Sequence, residues 1–213
     1  MTPLGLSRHA AWRFTLPAIR VVGRIMWRLR IEYEQQFPDP PFVVAANHHS
    51  FLDPPLLGAA YGRRLRFMAL ASLFGTYPLL DHAFDAFEVI KIGRGTVPLT
   101  ALHQALDHLA DGGVVAVFPE GTRATTWGAV PRRRGAAWLA RRAEVPLVAV
   151  AIVGTDRVLG LDNKLRRGTI RIRVGPSFRA DGNGPAAVDG LHRRWESWVA
   201  DALADLTSGA GRR

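Results

Sequence analysis

Three short and almost wholly apolar runs constrain this chain more than any other feature: residues 42–46, 114–118 and 147–152. Runs of this kind, without polar alternation, suit strands buried on both faces, as in parallel sheets. Helical patterns stand between them. Pro54 and Pro55 open a helix over 53–61, and Thr96 can cap another that runs to about Ala110 and stops at Gly112 and Gly113. A further helix is predicted over 134–144. A last amphipathic one spans 188–206, with Leu191, Trp195, Trp198, Ala202 and Leu206 on its apolar stripe. Residues 65–69 and 86–92 are strand-like, and 169–174 alternates with period two. Strands alternating with helices predict an α/β fold: a largely parallel central sheet flanked by helices.

The N-terminal region has a different character. Residues 7–31 read as one helix, kinked at Pro17 or started near it with Thr15 as cap. Arg13, Arg20, Arg24 and Arg28 fall on nearly one face, and Trp12, Leu16, Ile19, Ile25, Met26, Trp27 and Leu29 form a broad apolar surface. A basic, Trp-bearing amphipathic helix suits a membrane interface; an ordinary surface helix with its stripe on the core is the alternative. A Pro-rich break at 37–41 divides the chain into a membrane-associating helical region, 1–36, and a main domain, 37–213. No segment reaches the ~18–20 apolar residues of a membrane span. The longest uncharged stretch, 67–80, contains Gly75 and Pro78 and reads as a core or interfacial element. The N-terminus is basic and aromatic, without the pattern of a secretion signal.

Composition narrows the chemistry. Apolar residues make up 48% and charged residues 22%, which fits a globular chain and not a disordered one. There is no cysteine, so disulfides, Cys-ligated metals and a thiol nucleophile are excluded. The formal net charge is +10, and of the 28 basic side chains only Lys91 and Lys164 are lysines. The sign favours an anionic partner. The arginine clusters at 132–134, 141–142 and 166–167 come without a nucleic-acid-binding motif, so no nucleic-acid partner is expected.

Two polar clusters follow apolar runs, at strand ends where α/β sheets collect their sites. The first is Asn47-His48-His49-Ser50-Phe51-Leu52-Asp53. A tight turn into a helix would return Asp53 to the His48 imidazole, and a carboxylate on one ring nitrogen leaves the other free as a base. That is two-thirds of a catalytic triad, with the nucleophile left to a substrate hydroxyl. Asn47 or Asp53 could equally serve as a helix cap. The second cluster is Phe118-Pro119-Glu120-Gly121-Thr122-Arg123. Gly121 would let a ligand approach the backbone, and Arg123 could fork onto a phosphate or carboxylate. A simple turn with a surface arginine is the alternative.

Taken together and in this order, the clusters resemble the motifs of the glycerolipid acyltransferase family, whose best-known members are the 1-acylglycerol-3-phosphate acyltransferases. The first family motif, Asn-His-x-Ser-x-x-Asp, is met by Asn47, His48, Ser50 and Asp53; Phe-Pro-Glu-Gly-Thr-Arg is met in full by residues 118–123. Val89-Ile90-Lys91-Ile92-Gly93-Arg94 is similar to the second motif, and the run 145–150 to the fourth.

The resemblance implies transfer of a fatty acyl group from acyl-CoA or acyl carrier protein to a lysolipid hydroxyl, as in phospholipid biosynthesis. It implies His48 as general base and Asp53 as its orienting partner. Arg94 and Arg123 would hold an anionic group of the acceptor; Glu120 and Thr122 would position the acceptor or support those arginines, with Gly121 in the same substrate-binding set. The thioester is a co-substrate; no further cofactor and no metal is called for. The expected location is peripheral, on the cytoplasmic face of an anionic membrane, through 7–31 and in part 67–80. There is one departure. Family members acting on phosphate acceptors often read Ala-Lys-x-Glu-Leu-Phe where this chain has Leu70 and Ser72 in place of the Lys and Glu. The acceptor is therefore either 1-acylglycerol-3-phosphate, giving phosphatidate, or another lysolipid. A non-catalytic module binding anionic membranes is the remaining alternative.

Overall fold

The computed structural model describes residues 8–70, 89–93 and 99–209. The strands are β1 (Arg30–Tyr33), β2 (Phe42–Ala46), β3 (Arg66–Leu70), β4 (Ile90–Ile92), β5 (Val114–Val117), β6 (Leu147–Val153) and β7 (Arg171–Phe178). The helices are α1 (Arg8–Trp27), α2 (Asp53–Tyr61), α3 (Leu99–Ala110), α4 (Gly135–Arg142), α5 (Thr155–Val158) and α6 (Pro185–Ser208). The strands form one seven-stranded sheet in the order β1-β7-β6-β2-β5-β3-β4. Every pairing is parallel except β6 with β7. The predicted α/β architecture is the one observed.

Side-chain alternation along the central strands builds two cores. Val43, Ala45, Val115, Leu147, Ala149 and Ala151 face one way, toward α3, α4 and α6. Phe42, Val44, Ala46, Ala116, Val148, Val150 and Ile152 face the other, toward α1 and α2. Both faces being covered, β2 and β6 carry no polar side chain, which is why their sequences read as unbroken apolar runs. Trp195 of α6 is fully buried and donates its indole N–H to Ala45 O at 2.9 Å.

Three local expectations need correction. The first helix ends at Trp27 rather than at residue 31. Arg28 takes a left-handed conformation, φ 45°, and Leu29 N–H returns to Gly23 O at 3.0 Å, which turns the chain out of the helix. Residues 30–33 then pair with β7 as β1, so the last part of the N-terminal region belongs to the sheet. The helix also runs through Pro17 instead of starting at it. Finally, β7 extends to Phe178, held there by antiparallel pairing with β6. Gly175 is needed inside it, because a Cβ there would lie 2.1 Å from the Trp198 ring.

Of the stretch 67–80, Phe67 is buried in the core, and residues 71–80 lie outside the described residues. The same holds for Thr96, the expected cap of α3.

Candidate active site

Register brings the two polar clusters together. β2 and β5 are parallel neighbours with Ala45 opposite Val117, so both chains leave the sheet at the same level. Extending that register sets His48 beside Glu120. On the other side of β2, Ala46 pairs with Val150, and Asn47 carries the ladder onward with its side chain. Asn47 Nδ2 donates to Ile152 O at 2.8 Å, and Ile152 N–H donates to Asn47 Oδ1 at 2.8 Å. Asn47 is therefore a side-chain splice between strands, not the helix cap considered from the sequence.

Past Asn47 the chain turns sharply and enters α2 at Asp53. The Asp53 carboxylate is buried and gathers three donors on Oδ2: His49 N–H at 2.6 Å, Ser50 N–H at 2.7 Å and His48 Nδ1 at 2.9 Å. Asp53 thus ties the loop and the imidazole at one atom. An ionised carboxylate only accepts, so the ring proton sits on Nδ1 and Nε2 keeps its lone pair. Ser50 Oγ donates to Leu159 O at 2.7 Å, which fastens the loop to the end of α5.

His48 lies flat against Phe118, with ring centroids 4.2 Å apart and planes inclined by 20°. Phe118 stacks in turn over Phe67, 6.0 Å between centroids. Sequence reasoning placed Phe118 in a strand and a motif but missed this contact; period-two alternation has no signal for it. The imidazole is fixed by a carboxylate at its edge and by a ring on its face, with its side chain 15% exposed.

Glu120 lies against the backbone of the His48 loop. It is only 4% exposed and accepts the His48 backbone N–H on Oε2 at 2.5 Å. Burial pushes its carboxyl up to about 7; the His48 N–H and Arg132 oppose the rise, and neighbouring Asp53 adds to it. A reciprocal bond, Ala124 N–H to His48 O at 2.9 Å, closes the junction between the two loops. Gly121 has φ +64°, and both it and Thr122 are exposed. Arg123 stacks its guanidinium over Phe51, 3.7 Å from the ring centroid, and reaches Asn163 Oδ1 at 3.3 Å. Arg94 lies outside the described residues.

His49 is buried, and burial lowers its imidazole pKa, so it stays neutral beside the Asn47 amide. An apolar groove of about 480 Å³ runs between α1 and α2, lined by Phe14, Ala18, Val22, Trp27, Leu52 and Pro55.

A hydroxyl placed at Nε2 would meet a base whose conjugate acid is stabilised from behind by Asp53. The chain itself offers no cysteine, and the arrangement suits direct attack by a substrate hydroxyl on an activated acyl group.

Comparison with known proteins agrees with this chemistry. The 1-acyl-sn-glycerol-3-phosphate acyltransferase of Pseudomonas aeruginosa is 28% identical over 199 residues, covering 92% of this chain and 76% of that protein. The Bacillus subtilis protein of the same name is 26% identical over 178 residues, 80% of this chain and 84% of the relative. A Chlamydomonas reinhardtii relative, again with that name, is 33% identical but matched over only 42% of its length. The crystal structure of PlsC, the 1-acyl-sn-glycerophosphate acyltransferase of Thermotoga maritima, has the same fold: TM-score 0.74, 23% identity, 99% of this chain and 86% of that one. The model of the acyltransferase family matches residues 28–153, more than half of the sequence and both polar loops, and the chain belongs to that family.

Proposed function

We propose that this acyltransferase moves a fatty acyl group from an acyl thioester to the free hydroxyl of 1-acylglycerol-3-phosphate, giving phosphatidate. The observation that carries the reading is the His48–Asp53 pair, 2.9 Å apart, with Nε2 as the open nitrogen. His48 Nε2 takes the hydroxyl proton as the oxygen attacks the thioester carbonyl. The tetrahedral adduct collapses, the carbon–sulfur bond breaks, and the His48 imidazolium returns the proton to the departing sulfur, which leaves as the free thiol and restores the neutral base. Asp53 orients the ring and stabilises the transient imidazolium. Arg123 meets the acceptor's anionic group, with Arg94 as its partner and Gly121 and Thr122 beside it. Glu120 acts behind His48 rather than on the acceptor. The acyl donor is acyl-CoA or acyl carrier protein.

The substrates are lipids, and the reaction belongs at a bilayer surface. No helix among the described residues is long and apolar enough to cross a membrane. α1, however, leaves Phe14 75% and Ile25 74% exposed while Leu16 is buried. Its outer apolar face supports peripheral attachment to a membrane, which we place on the cytoplasmic side, and the net charge of +10 favours an anionic surface.

A second reading of the acceptor rests on Leu70 and Ser72, which stand where phosphate-directed relatives carry Lys and Glu. In that reading the chemistry is unchanged and the acceptor is another lysolipid. Thiol release from acyl-CoA or acyl carrier protein, measured with lysolipids bearing or lacking a terminal phosphate, decides between them. Release with lysophosphatidate that falls about 10²–10⁴-fold in His48→Ala supports the first reading. Release only with other acceptors supports the second. No acceptor-dependent release with either donor overturns both.

A further inference from the structure

The segment between α5 and β7 is an exposed loop with an internal brace. Leu159 and Leu165 form an antiparallel bridge, and Arg166 N–H donates to Val158 O at 2.8 Å. Between them Asn163 takes a left-handed turn, φ 55°, and Arg166 forks onto Asp162. The brace holds two apolar side chains in solvent: Leu161 is 51% and Leu165 60% exposed. Around them stand Arg157, Lys164, Arg166 and Arg167, all exposed, against the single carboxylate of Asp162 within 157–168. Apolar side chains rimmed by cations match an anionic bilayer, whose interface takes the former and whose phosphates take the latter.

Position supports the same partner. The loop leaves from Leu159, whose carbonyl holds Ser50 of the His48 loop at 2.7 Å. Asn163 accepts from Arg123 at 3.3 Å. The loop ends at Ile170, whose N–H donates to Trp27 O at 3.0 Å, at the C-terminus of α1. It therefore bridges the outer helix and the polar cluster of the candidate active site.

We propose that residues 157–168 form a second membrane-contact element. Leu161 and Leu165 enter the interface of an anionic bilayer, and Arg157, Lys164, Arg166 and Arg167 meet lipid phosphates. Membrane docking then holds the loop that carries Asn163, and through it Arg123, over the surface from which a lipid acceptor arrives. The inference rests on the peripheral attachment proposed for α1 and adds an element that the helix does not include.

The chain has no cysteine, so single substitutions give unique labelling sites. Leu161→Cys, Ile25→Cys on α1 and Ala204→Cys on α6 each carry an environment-sensitive fluorophore on the full chain. Vesicles of phosphatidylcholine, with and without phosphatidylglycerol, are then added. The expected result is a blue shift and a rise in emission at 161 and 25, stronger with phosphatidylglycerol, and no change at 204. A response at 25 with none at 161 overturns the loop proposal and leaves the α1 reading intact. No response at either position removes both. A response at all three marks non-specific adsorption and also overturns the proposal. In the unlabelled chain, Leu161→Ser with Leu165→Ser is expected to weaken vesicle partition by about tenfold. Thiol release with a short-chain, water-soluble acceptor is expected to persist in that variant. Unchanged partition counts against the loop.

Discussion

At the scale of single residues, the base proposed here, His48, is defined by what surrounds it. One oxygen of Asp53 accepts from His48 Nδ1 and from two backbone N–H groups, so the carboxylate shapes the loop as well as the ring. Asp53→Asn keeps an acceptor for the amides but presents an NH₂ group to the imidazole or loses the loop contact. The expected outcome is a fall in kcat of about 10²–10⁴-fold with the chain still folded, read by thiol release alongside circular dichroism. Glu120 makes a different prediction. Its carboxyl is raised from 4.5 to about 7 in the folded chain, with burial and Asp53 raising it and Arg132 opposing. Between those two values the folded chain binds more protons than the unfolded one, so stability falls as pH rises through that window. The loss amounts to up to about 3 kcal/mol. Glu120→Gln keeps an acceptor for His48 N–H and removes the titration. Urea unfolding at pH 5 and pH 8 (conditions at about the two ends of the window) is expected to show a clear decline for the parent chain and a much smaller one for the variant. Equal declines would place the titration elsewhere.

At the scale of elements, the site depends on how β2 is joined to its neighbours. The backbone ladder with β6 reaches Ala46, and the Asn47 side chain supplies the next pair of bonds to Ile152. Asn47→Ala leaves a buried N–H and a buried carbonyl unpaired. Each unpaired group costs about 1–3 kcal/mol, so a total loss of about 2–6 kcal/mol is expected in denaturant unfolding, with activity reduced further as the adjoining His48 loop loses its anchor. Loss below the range for one bond would mean that the strands hold register without the splice. β1 is the element that sequence patterning did not separate from α1. Trp27, Leu29 and Ile31 alternate with period two, a strand signal too short to stand apart from the helical reading of 7–31; a left-handed Arg28 ends the helix and β7 captures residues 30–33. Glu32 then pairs with Arg171 at 3.0 Å and Arg173 at 3.2 Å, contacts more than 130 positions away in the chain that no local pattern encodes.

At the scale of the whole molecule, charge and exposed apolar surface act together. The net charge is +10, and α1 exposes Phe14, Val21, Val22, Ile25 and Met26. Binding to phosphatidylglycerol vesicles is expected to weaken as salt rises, because the attraction between the basic protein and lipid phosphates is screened over about 8–10 Å. Phe14→Ser with Ile25→Ser is expected to lower the salt-independent part of that binding, read by vesicle sedimentation. Binding that ignores both salt and these substitutions would remove α1 as the attachment. Point changes separate the effects better than truncation, since residues 1–31 also carry Leu16 and Leu29 of the core and the start of β1.

Composition and pattern suffice for the α/β class, because buried parallel strands must be apolar on both faces and their crossovers must be amphipathic. For the 47–53 and 118–123 clusters pattern leaves a helix cap and a plain surface turn as alternatives; the resemblance to the acyltransferase motifs singles them out, and the short spacing of His48 and Asp53 makes their contact a local one. The roles of Glu120 and Asn47 come from tertiary structure alone. The direction of each side chain follows from the register of β2 between β5 and β6, and register is a property of strands distant in sequence. The ring stack of His48 on Phe118 and the grip of Asn163 on Arg123 have the same origin. Local chemistry selects the reacting groups; long-range pairing selects which of their neighbours face them.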